Sequence, residues 1–354
     1  MASDTRRRRS LRPVAAPPGR PHPPAARFLR LLAVFLLPLL ACTGHSTHEA
    51  ADGAALVADG EVRLRGLRNP ISVAVAADGT LFAADLTDGH LKSFAADGSE
   101  RFSVGGFGEA PGRFRIPVSV ALDGGGRLAV GDANGRISLW SRAGEWLDSF
   151  IVADVVHFSS DLAFEGGDRL LVGGLGTSEP VRMLHLHTTG GERLESFYPL
   201  SEPAARYEAV AITGARFALA GDGRIFAVQP TALEVTELAA DGRVVDVRPL
   251  PADGLRSLSS PEPSQAEDRQ AWLDSWDPVH RIFRLPDGSL VVSAVVSRGT
   301  YRLYLLDEGG GAAVVLPVDL DERPVAVDGA GRLCTVHRDG DDTLLRRYRL
   351  RPPA

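Results

Sequence analysis

The chain has 354 residues, of which 44% are hydrophobic, and a formal net charge of −6 at pH 7. Residues 1–41 contain eight arginines and one aspartate, a net charge of +7, so the remaining residues carry −13. This acidic remainder argues against nucleic acid as a partner, because binding to a phosphate backbone needs a positive surface. It is long enough to form a substantial hydrophobic core.

The N-terminal segment has the pattern of an export signal. Residues 6–12 are rich in arginine, a proline-rich stretch follows, and residues 31–41 form an apolar run. This run is too short to span a bilayer, which requires about 20 residues, but it suits a secretory signal peptide. Leu39, Ala41 and Cys42 stand where a bacterial lipoprotein lipobox has its leucine, its small residue and its cysteine.

The resemblance to a lipobox implies that residues 1–41 are a lipoprotein signal peptide and that Cys42 becomes the acylated N-terminus. The alternative is an ordinary signal peptide followed by an unrelated cysteine. Acyl chains on Cys42 would make the lipid bilayer a partner and would anchor the exported protein in the cell envelope. In a diderm cell this means the outer membrane or the periplasm. We expect residues 42–57 to form a flexible tether.

Beyond this tether the chain repeats one pattern, in which an alternating apolar run, a turn centred on glycine and a second apolar run follow each other. Residues 71–85, 118–132 and 216–229 show it most clearly. The pattern indicates a β-hairpin, and its recurrence every few tens of residues is typical of a propeller or a solenoid. The first strands of six such units start near Ser72, Ser119, Asp161, Arg216, Arg281 and Pro324.

A second hairpin follows in each of the first five units, so each of these units supplies four strands. The sixth unit has a third strand at residues 343–348 but no fourth, whereas residues 58–64 match the fourth-strand pattern of residues 240–246. An N-terminal strand that completes the last blade would close the ring and remove its open sheet edges. The sequence therefore predicts an all-β fold, a six-bladed β-propeller over residues 58–354.

The segment from Phe107 to Ile137 resembles an NHL repeat, with the family's glycine-rich start, its proline before the first strand and its Asp132, Asn134 and Arg136. One residue fewer than in the family separates Asp132 from Asn134. The match is good for the second unit, fair for the first and poor beyond the third. The whole chain is similar to six-bladed propeller lipoproteins, most of which have no assigned activity. The resemblance implies that Asp85 and Asp132 accept backbone hydrogen bonds in their turns.

A ligand site is expected where the first strands begin, because in a propeller these ends share one face around the central channel. The polar residues at this channel mouth are Asp161, Arg216, His280, Arg281 and Arg323. Several arginines around one opening suit a carboxylate, a phosphate or a sugar acid, since a guanidinium donates two parallel hydrogen bonds. The alternative is that these arginines pair with Asp161, Glu322 and other acids and only hold the ring together.

One insertion, residues 251–278, separates the fourth unit from the fifth. Ser264 and Glu267 form the capping box of a predicted helix at residues 265–276, and Trp272 and Trp276 lie on one face of it. Because the insertion leads into the channel face, the helix could be a lid or a wall on which a sugar ring stacks. The alternative is a helix that packs on the rim.

Histidines raise the alternative of a metal enzyme. Some NHL-like lyases hold zinc through channel histidines beside a tyrosine and an arginine, and His157, His280 and His337 could form a three-ligand site with Tyr207 and Arg206 nearby. The acidic loop at residues 337–342 could bind calcium, although a solvated turn is the simpler interpretation.

The remaining residues of interest are interpreted structurally. His185 and His187 alternate in a strand and are expected at the surface. Cys334 lies in a strand pattern and is expected in the core.

These patterns predict an exported, membrane-anchored propeller that acts as a binding or scaffold module, without a cofactor, for an envelope protein or a small anionic or glycan ligand. The alternative is a metal-dependent lyase or hydrolase of the propeller type, with zinc or calcium.

Overall fold

The computed structural model describes residues 55–156, 161–201, 214–252, 254–258, 268, 271–272, 274–297, 299–317 and 319–351. Within these ranges the chain forms 26 β-strands, which build six antiparallel sheets of four strands and one two-stranded ribbon. No helix in this part of the chain is long and apolar enough to cross a membrane. The prediction of an all-β, six-bladed propeller is confirmed.

Each four-stranded sheet is one blade, and in blades 1 to 5 the strands follow chain order from the first to the fourth. Blade 1 contains β2 (Pro70–Val75), β3 (Leu81–Asp85), β4 (His90–Phe94) and β5 (Glu100–Gly105). Blade 2 contains β6 (Pro117–Leu122), β7 (Leu128–Asp132), β8 (Arg136–Trp140) and β9 (Trp146–Ile151). Blade 3 contains β11 (Leu162–Gly166), β12 (Arg169–Gly173), β14 (Arg182–Thr188) and β15 (Arg193–Pro199). The two-stranded ribbon beside blade 3 pairs β10 (Val155–Val156) with β13 (Leu175–Gly176).

The second half of the ring has the same plan. Blade 4 contains β16 (Arg216–Leu219), β17 (Ile225–Val228), β18 (Glu234–Leu238) and β19 (Val244–Pro249). Blade 5 contains β20 (Val279–Arg284), β21 (Leu290–Ser297), β22 (Thr300–Leu306) and β23 (Val314–Val315). Blade 6 contains β24 (Arg323–Val327), β25 (Leu333–Asp339), β26 (Asp342–Arg351) and, as its fourth strand, β1 (Ala55–Leu64).

The N-terminal strand closes the ring as the sequence predicts. β1 pairs antiparallel with β26, from Ala55 opposite Arg351 to Leu64 opposite Thr343, with an irregularity between Ala58 and Glu61. It begins at Ala55, three residues earlier than the predicted start at residue 58. The paired edge leaves blade 6 without an open fourth position, which is how propellers avoid exposed sheet edges.

The hydrophobic core is divided into six clusters, and each cluster lies between two neighbouring blades. In ring order from the interface of blades 6 and 1, representative pairs are Val325 with Leu81, Phe82 with Val130, Ile137 with Leu170, Leu184 with Ile225, Phe226 with Val292, and Leu303 with Leu333. Both faces of a blade are therefore buried against its neighbours.

Turns between third and fourth strands press onto the preceding blade. Gly242, with φ of +74°, lies so close to Phe197 of blade 3 that a Cβ at this position would come within 2.4 Å of the ring. Gly191 meets Phe150 of blade 2 in the same way, at 2.8 Å. A glycine is required at these turns by the contact as well as by the backbone conformation.

The first strands of neighbouring blades contact each other, so they surround the central channel. These contacts join β2 with β6, β6 with β11, β16 with β20, β20 with β24, and β24 with β2. The residues at the start of these strands therefore lie around one mouth of the channel.

Candidate functional site

The channel mouth is crossed by the side chain of Arg281 from blade 5. Its Nη1 donates to Oδ1 of Asp161, at the start of blade 3, over 2.9 Å, and its Nη2 donates to the carbonyl oxygen of Ile71 in blade 1 over 3.1 Å. Blades 1, 3 and 5 are not neighbours, so these contacts pass across the axis of the ring. Arg281 and Asp161 are only 12% and 14% exposed. The predicted pairing of a channel arginine with Asp161 is therefore present for Arg281.

Two more arginines lie beside this pair. Arg323 of blade 6 donates through Nη2 to the carbonyl oxygen of Pro70 in blade 1. Arg216 of blade 4 stands next to Asp161 and Arg281, and burial lowers the pKa of its guanidinium to about 10, an effect that Asp161 partly offsets. Its Nε and Nη1, and the Nε of Arg323, are buried without a hydrogen-bond partner among the described residues. Such unpaired donors each cost about 1–3 kcal/mol.

A histidine and a tyrosine complete the cluster. The ring of His280 lies 4.9 Å from that of Tyr301, between centroids, and its Nδ1 lies 3.3 Å from Oγ of Ser293. Burial, reinforced by the three arginines, holds the pKa of His280 well below its ordinary value. Burial also raises the pKa of Tyr301. Both side chains are therefore neutral near pH 7.

Tyr301 and Ser293 were not among the sequence-predicted site residues, whose polar members at the channel mouth came from the starts of first strands. Ser293 lies in the second strand of blade 5 and Tyr301 near the start of the third. Loops that join second to third strands open on the same face as the channel mouth, and this rule could have found Tyr301. The structure thus brings together Asp161, Arg216, His280, Arg281 and Arg323, as the sequence predicts, and adds Tyr301.

Glu322 does not serve as a counter-ion at the mouth. Its carboxylate accepts from Oγ1 of Thr335 over 2.6 Å and from the hydroxyl of Tyr348 over 3.2 Å, and it pairs with Arg346. All three partners belong to blade 6, so Asp161 is the described acid that balances the channel arginines.

The predicted helix at residues 265–276 falls largely outside the described residues. Asp268, Ala271 and Trp272 are helical, whereas Asp274 and Ser275 form a turn. The two indole rings lie 6.5 Å apart at 49°, and Trp272 and Trp276 are 6% and 4% exposed. In this arrangement neither ring presents an open face, so a stacking role stays a prediction.

An ion pair fastens this insertion. The carboxylate of Asp277, which is buried, accepts from the backbone N–H of Arg256 over 2.7 Å and from its Nη2 over 2.6 Å. The guanidinium of Arg256 also donates to the carbonyl oxygen of Asp274 over 2.8 Å.

The histidines proposed as metal ligands are only partly described. His157, Tyr207 and Arg206 lie outside the described residues, and His337 lies in β25 opposite Leu344. Within the described ranges no group of three or more His, Cys, Asp or Glu side chains could hold a metal ion. The three-histidine site therefore stays a prediction.

The acidic loop is engaged by arginines near β1. Arg63 contacts Asp339 at 2.5 Å and Asp342 at 3.3 Å, and Arg68 contacts Asp341 at 3.6 Å. Three carboxylates that already face two guanidiniums are a poor site for calcium, because the positive charges oppose the ion.

The expectation that His185 and His187 lie at the surface is wrong. Their exposed fractions are 2% and 1%. His185 contacts Oγ of Ser196 at 2.9 Å and the carbonyl oxygen of Gly174 at 3.3 Å. Their face of the blade is buried against blade 2, because both faces of a propeller blade are internal.

The structural role expected of two aspartates is confirmed. Asp85 accepts from the backbone N–H groups of Arg68, Asn69 and Thr87 over 3.0–3.1 Å, and it also accepts from Nζ of Lys92. Asp132 accepts from the N–H groups of Arg115 and Ile116 in blade 2.

Gln229 of blade 4 holds the incoming chain in the same manner. It accepts from the N–H of Ser201 over 2.8 Å and donates to the carbonyl oxygen of Pro199 over 2.9 Å. These side chains fix the loops that lead into the first strands and so position the channel mouth.

No known protein-family model matches the chain, and no curated protein matches its sequence. Solved structures match its fold. A member of the DUF4221 family from Bacteroides vulgatus superposes with a TM-score of 0.61 at 9% identity, over 85% of this chain and 99% of that one.

Two further structures are similar. A putative exported protein from Bacteroides fragilis gives a TM-score of 0.57 at 12% identity, over 87% of this chain and 98% of that one. A catalytically inactive virginiamycin B lyase from Staphylococcus aureus, solved with quinupristin, gives 0.54 at 10% identity, over 81% and 99%. At such low identities the likeness establishes the propeller fold alone.

Proposed function

We propose that this protein is an exported propeller, anchored by lipid at Cys42, that binds a small anionic ligand at the channel mouth. The observation that carries the proposal is the cluster of Arg216, Arg281 and Arg323, which has Asp161 as its one described counter-ion. A buried cluster of like charges is unfavourable unless it is paired. An anion at the mouth would pair it.

The hydrogen-bonding state of the arginines supports the same proposal. Arg281 is held by Asp161 and a backbone carbonyl, whereas Arg216 and Arg323 keep buried donors without partners among the described residues. Those donor atoms have almost no accessible surface, so a ligand would reach them through rotation of the side chains. The neutral ring of His280 and the hydroxyl of Tyr301 could orient the uncharged part of the ligand.

Export and anchoring rest on the sequence. The lipobox-like Leu39, Ala41 and Cys42 support cleavage before Cys42 and its acylation. The likeness to a putative exported protein agrees with a place in the cell envelope. The NHL-like segment of blade 2 supports an NHL-type propeller lipoprotein.

Binding of sulfate, measured by calorimetry on the full-length protein in mild detergent, tests this function. We expect one equivalent to bind the wild type, and the Arg216→Gln and Arg323→Gln variants to bind at least tenfold more weakly, about 1.4 kcal/mol each. Arg243→Gln is the matched control, because it removes one positive charge from an exposed turn of blade 4. Equal binding by all four proteins, or none by the wild type, would refute a channel anion site.

A protein partner is the second candidate. The fourth strand of blade 4 exposes Val244, Val245 and Val247 at 45%, 49% and 44%, and Trp146, Leu147 and Ile151 of blade 2 are similarly open. Apolar side chains on outer strands suit contact with an envelope protein. Charged substitutions at Val245 and Val247 would release such a partner in co-purification without affecting sulfate binding.

A metal-dependent lyase or hydrolase is the third candidate. It is suggested by the similarity in fold to virginiamycin B lyase. The three arginines around His280 oppose a cation there by Coulomb repulsion. Thermal unfolding with EDTA, Zn²⁺ or Ca²⁺ tests it, because an ion that binds only the native state raises the midpoint. A midpoint that falls with EDTA and recovers with Zn²⁺ would favour the enzyme over the anion-binding module.

A further inference from the structure

The charges at the channel mouth define the charge of the ligand, given that the proposed function holds. We infer that the site is matched to a group with two negative charges, such as a phosphate monoester, and not to a single carboxylate. The reasoning depends on which side chains act on the site and on the protonation state of each.

Three positive charges and one negative charge face the mouth. Arg216, Arg281 and Arg323 come from blades 4, 5 and 6, and Asp161 lies at the start of blade 3. The pKa of Arg216, lowered to about 10, still leaves it charged at neutral pH. Among the described residues the cluster therefore keeps an excess of two positive charges.

The other two titratable groups do not alter this balance. His280 carries no charge near pH 7, because burial and the neighbouring arginines disfavour its cationic form. Tyr301 keeps its proton, because burial disfavours the phenolate. From blade 1, the carbonyl oxygens of Pro70 and Ile71 already accept from Arg323 and Arg281.

The arrangement of the donors favours an ion with several oxygens. Arg281 is fixed across the mouth by Asp161, and the guanidiniums of Arg216 and Arg323 approach from the two adjacent blades. A tetrahedral phosphoryl or sulfuryl group offers three oxygens that can accept from different guanidiniums at once. A carboxylate would leave one excess positive charge buried.

The inference is tested by calorimetric titration of the full-length protein with three small anions at constant ionic strength. The anions differ in charge and in shape, so their affinities show which of the two properties the site selects. The probes are sulfate, which is a dianion from pH 5 to 8, methyl phosphate, and acetate. A phosphate monoester loses its second proton near pH 6. We expect sulfate binding to change little over this range, and methyl phosphate to bind about tenfold more tightly at pH 8 than at pH 5. Acetate should bind at least tenfold more weakly than sulfate.

The outcomes distinguish this inference from the function on which it rests. If acetate bound with an affinity within threefold of that of sulfate, or if methyl phosphate bound with no pH dependence, the preference for a dianion would be refuted. The anion site itself would still be supported. No binding by any probe would refute both the anion site and its preference for a dianion.

Two variants change the charge of the site. Asp161→Asn raises the excess charge to three and should tighten sulfate binding. Arg323→Gln lowers it to one and should reduce the preference for sulfate over acetate.

Discussion

Arg216 destabilises the folded protein, whereas Arg281 stabilises it. Substitutions of these two channel arginines should therefore change the free energy of unfolding in opposite directions. Arg216 has buried donors without partners, whereas Arg281 neutralises Asp161. In the absence of ligand, Arg216→Met should raise the free energy of unfolding by about 1–2 kcal/mol, since it removes a buried charge. Arg281→Met should lower it by about 2 kcal/mol, since it removes the ion pair and the side-chain hydrogen bond that Asp161 accepts across the channel mouth. Urea denaturation of both variants checks the signs, and a loss of stability in both would contradict this account.

The buried His185 of blade 3 should make the stability of the protein depend on pH. Burial lowers its pKa to about 4 from an ordinary value of 6.5. Between these two values the unfolded chain binds the proton and the folded chain does not, so stability is complete above pH 6.5 and falls as the pH drops toward 4. The loss should approach roughly 3 kcal/mol at the lower limit.

The variant His185→Gln removes this titration while its amide can still reach Ser196 and Gly174. The difference in unfolding free energy between wild type and variant should change by about 1 kcal/mol per pH unit from pH 6.5 down to 4.5. A constant difference over this range would show that His185 is not buried in its neutral form. The His337→Gln variant, which replaces a half-buried histidine of blade 6, serves as control.

The sequence could predict which residues come together at the channel mouth, because the starts of first strands converge in any propeller. The pairing of Asp161 with Arg281 was one of two alternatives that the sequence left open. The place of Glu322 could not be deduced, since it depends on the packing of Thr335, Tyr348 and Arg346 within blade 6.

The error at His185 and His187 has a physical reason. Alternation along a strand shows that two side chains share a face but does not show which face is open. In a propeller both faces of the inner strands are covered by neighbouring blades, so polar residues on a third strand can be buried.

At the scale of elements, the turn between the third and fourth strands of blade 4 tests how closely neighbouring blades pack. Gly242→Ala places a Cβ within 2.4 Å of Phe197 at a φ of +74°. Gly66→Ala is a closely matched control, because its φ is +69° and a Cβ there meets nothing within 4 Å. Both pay the strain of a left-handed alanine, about 1–2 kcal/mol.

Only Gly242→Ala should also disturb the contact between blades 3 and 4, so it should be less stable than Gly66→Ala by a further 1–3 kcal/mol or so. Thermal or urea unfolding of the two variants measures this difference. Equal stability would mean that the turn can move away from Phe197 without cost.

The strands themselves were largely predictable, because each turn carries a glycine or an aspartate and each strand alternates. The N-terminal fourth strand of blade 6 followed from the missing strand at the other end of the ring. β23, the fourth strand of blade 5, contains only Val314 and Val315. The preceding Gly310 and Gly311 have φ values of +113° and +108°, which extended strand residues do not adopt.

At the scale of the whole molecule, the ring is held by shared surfaces. Every core cluster draws on two blades, and β1 joins the start of the ring to its end. A blade therefore has no core of its own, and Arg281 adds a polar contact among blades 1, 3 and 5 across the axis. The channel mouth with the arginine cluster is likewise formed by residues from several blades and belongs to no single one.

The two cysteines offer a matched test of how this ring is attached to the cell. Cys334 is fully buried, and burial raises the pKa of its thiol to about 12, so it has little thiolate to react. Cys42 follows the apolar run and is the expected acylation site. In a bacterial host fed radiolabelled palmitate, the wild type and Cys334→Ala should carry label, and their mature chains should start at residue 42. Cys42→Ser should carry none, because a hydroxyl cannot replace the thioether to the lipid. A wild-type chain that carries no label, or one cut elsewhere, would assign residues 1–41 to an ordinary signal peptide and leave the propeller free of the bilayer. Label that persists in Cys42→Ser would place the acyl chains on another residue and refute Cys42 as the acylation site.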